Sequence, residues 1–346
     1  MAILVTEKTK VLVQGITGRE GSKVALQMQN YGTKVLAGVT PGKGGQEVHG
    51  VPVYNTIAEA MDAHPGINTS FVAVPNFAAY GAIEEAIKAE IPLINILTEH
   101  IPIQDTAKAI ALARSTVILR PKAEGSLANA STSETSSEIL RFAQNDKIRI
   151  VGPSSIGIIS PGVGKVGSIG GDDPRGVFRK GNVGVISKSG GMASEVSWIL
   201  TKNGMGQSTV VGIGGDILVG SSFADLLEEF EKDPQTDAIV IFGEIGGTYE
   251  EDAAELIKSG NPSTRLRLRG RSDSRSSARS GPGFTKPVVA FVAGLFAETL
   301  PQGTKLGHAG AIVYGEKGSY KSKINALKEA GVKIAKTPDE IPNLLK

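Results

Sequence analysis

The sequence has no cysteine, few aromatic residues and no long apolar run. The absence of cysteine from all 346 residues excludes disulfides, thiolate catalysis and cysteine-ligated metal sites. No apolar run approaches the roughly 20 residues that a membrane-spanning helix needs. The first ten residues, MAILVTEKTK, lack the basic flank, apolar centre and cleavage site of a signal peptide. We therefore expect a cytoplasmic protein, or one that lies in an organelle matrix after processing.

A strong charge of one sign is also missing. The formal net charge is +2, and one stretch, Asn261–Gly283, produces that sign because it holds six Arg and one Asp. The rest of the chain carries a net charge of −3. Charge therefore gives no argument for nucleic-acid binding by the protein as a whole.

Glycine, by contrast, is abundant, with 44 residues, while aromatics make up only 5%. This profile is typical of an α/β protein with many tight turns between strands and helices. The first half alternates apolar strands with amphipathic helices, which predicts a parallel sheet covered on both faces. The expected strands are Lys10–Gln14, Lys34–Val39, Thr69–Val74, Leu93–Leu97 and Ile148–Val151, and the expected helices are Gly21–Tyr31, Ile57–Ala63, Ala78–Glu90 and Thr106–Ala113.

The alternation begins again near Gly181, which predicts a second α/β domain. We therefore divide the chain into domains at 1–160 and 181–346, joined by Gly162–Lys180. The expected strands are Val183–Ser187, Ser208–Ile213, Ala238–Phe242, Pro287–Phe291 and Val332–Ala335, and the expected helices are Ala193–Lys202, Phe223–Phe230, Glu250–Lys258 and Tyr320–Ala330.

Two segments interrupt this rhythm between a helix and a strand. Ser115–Asp146 contains the polar run SLANASTSETSS, and Asn261–Gly283 is the Arg/Ser-rich stretch. Such connections normally take 2–6 residues, so both segments are interpreted as insertions into surface loops. An RNA-binding arm is the alternative for the Arg/Ser run, but the run has no interleaved aromatic residue.

The first glycine-rich turn, VLVQGITGREGSKVAL, places Gly15, Gly18 and Gly21 between a strand and a helix. A helix start offers free N–H groups and a positive dipole end to a phosphate. The spacing differs from the dinucleotide fingerprint G-x-G-x-x-G. A purely structural tight turn remains an alternative.

The end of the second strand separates two classes of ligand. A domain that binds NAD places Asp or Glu there for the ribose hydroxyls. Here the sequence is AGVTPGKGG, with Lys43 and no acid before Glu47. A lysine between glycines suits a phosphorylated adenosine, such as coenzyme A (CoA), better than a diol. The alternative is an ordinary solvated loop lysine.

The second glycine-rich turn is VGVISKSGGMASEVSWIL. Here Ser189, Gly190 and Gly191 follow a strand and open a helix. Ligands bind at the carboxyl ends of the strands in open α/β sheets, so this turn predicts a second anion site.

His308 stands between Gly307 and Gly310, ahead of an expected short apolar strand. Small neighbours leave the imidazole open to an incoming group, although a lone histidine is more often a satisfied polar residue. Glu244 ends a neighbouring expected strand. A carboxylate on one ring nitrogen fixes the tautomer and leaves the other nitrogen nucleophilic. This pair therefore predicts a phosphoryl acceptor.

Together these motifs resemble the α subunits of succinyl-CoA synthetase (succinate–CoA ligase), over nearly the whole chain except the two insertions. The motifs that carry the resemblance are GITGREG, VTPGKGG, KSGGMASE, GQSTVVGIGGD, DPQTDAIVIFGEIGG and GHAGAIV. The resemblance implies a Rossmann-like CoA-binding domain followed by a flavodoxin-like domain with a phosphohistidine. It also implies a separate β subunit with an ATP-grasp fold, which binds ATP or GTP with Mg²⁺. We expect no metal site in this chain.

The resemblance also assigns roles to single residues. His308 would carry the phosphoryl group, and Glu244 would orient His308. The helix that opens at Ser189, Gly190 and Gly191 would face the phosphohistidine. The residues expected to contact CoA are Thr17, Gly18, Arg19, Glu20, Lys43, Leu97, Thr98 and Glu99.

Two departures from the family pattern leave the acid substrate open. Ser194 stands where most members have the tyrosine that helps form the acid site, and Ser154-Ser155 replace Asn-Cys after Gly152-Pro153. Malate–CoA or citrate–CoA ligase, and a non-catalytic CoA-binding module, are the alternatives. The sequence does not decide between ATP and GTP, between heterodimer and heterotetramer, or what the two insertions do.

Overall fold

A computed structural model describes residues 2–116, 148–260, 284–301, 304, 307–313 and 318–346. The strands are β1 Lys10–Gln14, β2 Lys34–Val39, β3 Glu47–Val48, β4 Val51–Tyr54, β5 Thr69–Val72, β6 Leu93–Ile96, β7 Arg149–Val151, β8 Gly157–Ser160, β9 Gly164–Gly167, β10 Lys180–Ser187, β11 Gln207–Gly212, β12 Ala238–Glu244, β13 Val288–Ala293 and β14 Lys333–Ile334. The α-helices are α1 Arg19–Tyr31, α2 Ile57–Ala63, α3 Asn76–Lys88, α4 Ile103–Ser115, α5 Gly190–Lys202, α6 Phe223–Lys232, α7 Tyr249–Gly260, α8 Tyr320–Glu329 and α9 Ile341–Leu345.

The first sheet has the strand order β3-β4-β2-β1-β5-β6-β7. All of its neighbouring strands are parallel except β3 and β4. The chain builds outward from β1 in one direction and then returns to place β5 on its other side. The switch in strand order therefore falls between β1 and β5, which is where a Rossmann-like sheet opens a crevice for a ligand.

The second sheet has the order β14-β13-β12-β10-β11-β8-β9. The five strands from β14 to β11 are parallel, while β8 pairs antiparallel with both β11 and β9. Strand β10 has β11 on one side and β12 on the other, so the switch lies at the end of β10. The fold class predicted from the sequence, a Rossmann-like domain plus a flavodoxin-like domain, is confirmed.

The change from one sheet to the other occurs earlier in the chain than the division at 160 and 181. Strands β8 and β9 pair with the second sheet, so the change falls between Val151 and Gly157. These two strands have four residues each and hold three glycines between them. Such short, glycine-rich strands lack the apolar pattern on which the division was based.

Helix α1 packs the first domain against β9 of the second. Thr33, just after α1, donates from Oγ1 to the carbonyl oxygen of Lys165 at 2.7 Å and accepts from its N–H at 2.9 Å. The N–H of Gly167 donates to Sδ of Met28 at 3.4 Å. Apolar residues of both sheets belong to one buried cluster, so the two domains share part of their core.

Two expectations fall on or near residues that the structure leaves out. The proposed insertion Asn261–Gly283 lies outside the described residues, as does Ser115–Asp146 beyond Thr116. The apolar strand expected after His308 is wrong in its described part, because Ala311–Val313 form no strand. Their backbone instead turns back, and the N–H of Ala311 bonds to the carbonyl oxygen of His308 at 3.1 Å.

None of the described helices is long and apolar enough to cross a membrane.

Candidate active site

The first glycine-rich turn joins β1 to α1 with no room for side chains at two of its glycines. Gly15 has φ of +79°, and a Cβ there would lie 2.5 Å from the carbonyl oxygen of Ala73. A Cβ on Gly21 would lie 2.2 Å from the carbonyl oxygen of Gly15. Helix α1 therefore begins close to the sheet edge. Its N-cap, Gly18, has no side chain to occupy the free N–H groups of the first turn.

The other residues expected to contact CoA lie around the same edge. Thr17 shares a hydrogen bond of 3.2 Å with Thr40, which follows β2 and begins the loop of Lys43. Lys43 and Arg19 are exposed, and Arg19 pairs with the neighbouring Glu20 at 3.2 Å. The loop that holds Lys43 is fixed by Asn55, whose Oδ1 accepts from Gly42 N–H at 2.9 Å and Gly44 N–H at 3.0 Å. This places two exposed cationic side chains, Arg19 and Lys43, beside an open helix start.

The segment after β6 contains the remaining residues expected to contact CoA. Leu97 donates its N–H to Val72 at 3.0 Å, and Thr98 donates its hydroxyl to Val74 at 2.7 Å. These bonds hold the segment against the end of β5, while Glu99 stays exposed.

In the second domain, β10 ends at Ser187 and α5 begins three residues later, at Gly190. Ser189 caps α5 by accepting the N–H of Met192 at 3.4 Å. A Cβ on Gly190 would lie 2.6 Å from Ile156, whereas a Cβ on Gly191 would meet nothing within 4 Å. The open side of the helix start therefore lies at Gly191. Ser194, one turn further along α5, is half-buried.

His308 and Glu244 are in direct contact, as the sequence predicted. Nδ1 of His308 lies 2.6 Å from Oε2 of Glu244, the last residue of β12. Glu244 is buried, while the side chain of His308 is 39% exposed. This hydrogen bond raises the pKa of His308 above its ordinary value, and burial opposes the change. Because Nδ1 is engaged, Nε2 is the nitrogen left for chemistry.

Three further charged residues, which sequence reasoning missed, lie behind this pair. Lys188 is buried, with Nζ 3.8 Å from Oε1 of Glu244 and 3.9 Å from Oε1 of Glu250. Glu250 in turn accepts the backbone N–H of Glu244 at 3.0 Å and pairs with Lys323. Glu250 and Lys323 come from α7 and α8, and no local pattern in the sequence signals that they meet.

A short chain of contacts links the CoA edge of the first sheet to the histidine loop. Ser154 donates its N–H to the carbonyl oxygen of Thr98 at 3.1 Å and its hydroxyl to Oδ2 of Asp216 at 2.9 Å. Gly215, next to Asp216, accepts the N–H of Gly310 at 2.9 Å. Burial raises the pKa of Asp216 above its ordinary value, and the bond from Ser154 opposes this. The two sets of expected site residues therefore face one another across the domain boundary.

Comparisons with known proteins match the two parts of the chain to two different domains. Residues 6–100 match a CoA binding domain, and residues 186–333 match a CoA-ligase domain. The alpha subunit of ADP-forming succinate–CoA ligase from Aquifex aeolicus is 42% identical over 341 residues, covering 99% of this chain and 92% of that protein. Alpha subunit 1 from Archaeoglobus fulgidus is 43% identical over 337 residues, covering 97% and 94%.

This chain belongs to the succinate–CoA ligase alpha-subunit family. The part that matches the CoA binding domain contains the β1–α1 turn and the Lys43 loop, and the part that matches the CoA-ligase domain contains Glu244 and His308.

Solved structures of lower identity share the fold of this chain. An ATP citrate lyase from Methanothrix soehngenii, solved with citrate and coenzyme A, superposes with a TM-score of 0.77 at 24% identity, covering 99% of this chain. A dinucleotide-forming acetyl-coenzyme A synthetase from Ca. Korarchaeum cryptofilum superposes with a TM-score of 0.57 at 19% identity, covering 95%. The chain spans 50% and 58% of these two chains, respectively.

Proposed function

We propose that this chain is the catalytic alpha subunit of a succinate–CoA ligase, which forms succinyl-CoA reversibly with an N-phosphohistidine at His308. The observation that carries the proposal is the 2.6 Å contact between Nδ1 of His308 and Glu244. The contact engages Nδ1, so Nε2 is the nitrogen left to accept a phosphoryl group. Family membership supports the same activity.

The phosphoryl group would enter by attack of Nε2 on the terminal phosphorus of a nucleoside triphosphate. An N–P bond forms, the P–O bond to the nucleoside diphosphate breaks, and Glu244 stabilises the cationic ring through Nδ1–H. The N–H groups at Gly190 and Gly191, with the dipole of α5, would bind the phosphoryl oxygens.

The acid carboxylate would then take the phosphoryl group. Its oxygen attacks phosphorus, the N–P bond breaks, and an acyl phosphate forms. The CoA thiolate attacks the acyl carbon, so a C–S bond forms and phosphate leaves with the electron pair of the C–O bond. Splitting one difficult step into three easier ones is the logic of covalent catalysis. Ser194 would contribute to the pocket of the acid.

The CoA ligands we propose are the residues around the first sheet edge. Arg19 and Lys43 would pair with phosphates, and the free N–H groups at the start of α1 would bind the pyrophosphate. Thr17, Gly18, Glu20, Leu97, Thr98 and Glu99 would complete the site. The chain of contacts through Ser154 and Asp216 would place the thiol end of CoA near His308.

The nucleotide would be bound by a β subunit. This chain contains no G-x-x-x-x-G-K-[ST] motif for nucleotide phosphates. We propose an ATP-grasp partner that holds ATP or GTP with Mg²⁺, in a heterodimer or a heterotetramer located in the cytoplasm.

The test is phosphate transfer in the complex with the co-expressed β subunit. Labelled ATP and GTP should each be tried, and the label should be acid-labile, base-stable and confined to His308. His308→Asn should bind CoA normally and take no label. Label that persists in this variant would show that another residue is phosphorylated, and a CoA-binding module without chemistry would give no label in either protein.

The same complex decides the acid substrate. Succinate, malate and citrate should be assayed for CoA-dependent thioester formation, and we expect succinate to give the highest kcat/KM. Ser194→Tyr, which introduces the residue that most members carry, should change the relative kcat/KM for the three acids. A preference for malate or citrate in the unsubstituted complex would replace succinate in the proposal.

A further inference from the structure

Lys188 is a buried cation that the proposed reaction steps leave unused. Its side chain is 1% exposed, although lysine is among the residues that proteins bury least. It follows β10 directly and stands one residue before the N-cap of α5. A buried ammonium needs compensating partners, so those partners indicate what it does.

The partners are two carboxylates that share one ammonium group. Nζ lies 3.8 Å from Glu244 and 3.9 Å from Glu250, and it also lies 5.4 Å from the ring centre of Tyr249. Glu250 is already engaged by Lys323, which is also buried. Glu244 is not: among the described residues, its buried Oε1 has no hydrogen-bond partner. Lys188 is therefore the cation that faces the free oxygen of the carboxylate on His308.

We propose that Lys188 is a positioning residue, which favours the proton-poor form of the His308–Glu244 pair against the nearby carboxylates and thereby helps to keep Nε2 of His308 free to accept a phosphoryl group. The inference rests on the proposed function, because it names the group that sets the charge of the same site. The pair loses one proton to become a neutral imidazole beside an ionised carboxylate, a state with one negative charge. A fixed positive charge beside the pair favours that state, whichever of the two residues held the proton.

The other charged groups around the pair act in known directions. Glu244 raises the pKa of His308 through its hydrogen bond, whereas the charge of Lys188 lowers it, and Asp216, on the loop after β11, raises it. Glu250 on α7 competes for Lys188, and Lys323 on α8 offsets the charge of Glu250. Lys188 thus opposes the tendency of two nearby carboxylates to keep the ring protonated.

The experiment measures the proton directly, in the full-length chain, by NMR titration of ¹³C-labelled histidine. The chain has four histidines, and His308→Gln identifies the signal. In Lys188→Met, which keeps an unbranched side chain one atom shorter and removes its charge, the midpoint for His308 should rise by about one pH unit. Lys188→Arg should stay close to the unsubstituted protein. Lys323→Met removes a buried cation bonded to Glu250 rather than to Glu244, and it should shift the midpoint by less than half as much while lowering Tm.

A second readout is phosphate incorporation in the complex with the β subunit. In Lys188→Met the acidic limb of the pH–rate profile should move to higher pH, in parallel with the midpoint of His308. On that limb the variant should therefore incorporate phosphate about tenfold more slowly, and at high pH its rate should recover. A role limited to packing would lower the rate at every pH. If Lys188→Met does not fold, Glu250→Gln serves instead, and its midpoint should fall because Lys188 then faces Glu244 alone.

An unchanged His308 midpoint in a folded Lys188→Met, or in Glu250→Gln where that variant replaces it, overturns the inference. A complex of unsubstituted protein that takes no label overturns the proposed function instead, and the titration still reports on Lys188. The two failures are therefore distinguishable.

Discussion

The backbone of Gly215 lies directly against the imidazole of His308, since a Cβ on Gly215 would stand 2.6 Å from Cγ of the ring. The same segment accepts the N–H of Gly310 at 2.9 Å. One loop after β11 therefore supports both the ring and the turn that carries it. The glycine is needed for this close approach, because real Cβ atoms essentially never come within 3.0 Å of another heavy atom.

Gly215→Ala should displace the ring of His308 and slow its phosphorylation by about tenfold to a hundredfold, because small misplacements of a reacting group are costly. The measurement is the initial rate of label transfer in the complex, alongside Tm. Gly81→Ala is the matched control, since its Cβ would meet nothing within 4 Å and it lies within α3. That change should raise stability by about 0.5–1 kcal/mol and leave the rate unchanged. A fully active Gly215→Ala would contradict the role of this contact.

Glu244→Gln should lower both the pKa of His308 and the rate of phosphorylation. The amide keeps the shape but cannot compensate a cationic ring, so we expect a rate loss of about 10²- to 10⁴-fold. The raised pKa of His308 stabilises the folded protein fully below the ordinary histidine value, and this contribution is lost as pH rises through the raised pKa. The Tm advantage of the unsubstituted protein should therefore be larger at pH 5.5 than at pH 9. A constant difference across that range would argue against the hydrogen bond.

The His308–Glu244 pair was predictable because each residue ends or interrupts a recognisable local pattern. Glu244 closes an apolar strand, and His308 is framed by two glycines. The alternation of strands and helices then places the carboxyl ends of the parallel strands on one edge of the sheet. What local patterns cannot supply is a contact between side chains of distant elements. Lys188 contacts Glu250 only because the start of α7 lies beside the end of β10. The sequence of neither segment predicts this contact.

The change of sheet between Val151 and Gly157 was missed for a related reason. Strands β8 and β9 add to the second sheet antiparallel at its edge, and their glycines serve close backbone approach rather than an apolar face. A Cβ on Gly157 would lie 2.0 Å from the carbonyl oxygen of Val166. Composition predicts a linker for such a segment, whereas backbone pairing makes it a strand.

Lys43→Ala should weaken CoA binding by about 1–3 kcal/mol if the side chain pairs with a phosphate. Calorimetry on the full-length chain measures this, with NAD as the competing ligand. Lys8→Ala removes an exposed lysine near the N-terminus and should leave the affinity for CoA unchanged. Unaltered CoA affinity in Lys43→Ala would remove the lysine from the proposed site, and micromolar affinity for NAD would contradict the choice of CoA over NAD as the ligand of this domain.

Lys165→Met should change how stability depends on pH, because burial lowers the pKa of Lys165 to about 8 from 10.5. Its Nζ donates to the carbonyl oxygens of Ile169 at 3.1 Å and Gly171 at 2.7 Å, beside the contact between the two domains. Between those two pKa values the unfolded chain binds more protons, so stability rises with pH. The free energy of unfolding of the unsubstituted protein, relative to Lys165→Met, should gain about 2–3 kcal/mol from pH 7.5 to 10.5. Denaturant titrations measure this difference. The corresponding difference between the unsubstituted protein and Lys8→Met, which removes an exposed lysine, should not change with pH.

Deleting Asn261–Gly283 should preserve both the fold and the catalytic activity. The residues on either side already meet, since a Cβ on Gly260 would lie 2.5 Å from the backbone nitrogen of Phe284. A four-residue linker can therefore close the gap, and shortening a loop saves a little closure entropy, about 0.6 kcal/mol for each halving of its length. The deletion also removes the six arginines that give the chain its net positive charge. Tm should be equal or higher, and ligase activity should stay within a few fold.

A Gly/Ser segment of the original length serves as the control: activity in that variant, but not in the deletion, would show that length matters. A folded deletion that no longer binds the β subunit, together with a Gly/Ser variant that also fails to bind it, would place this segment in the subunit interface.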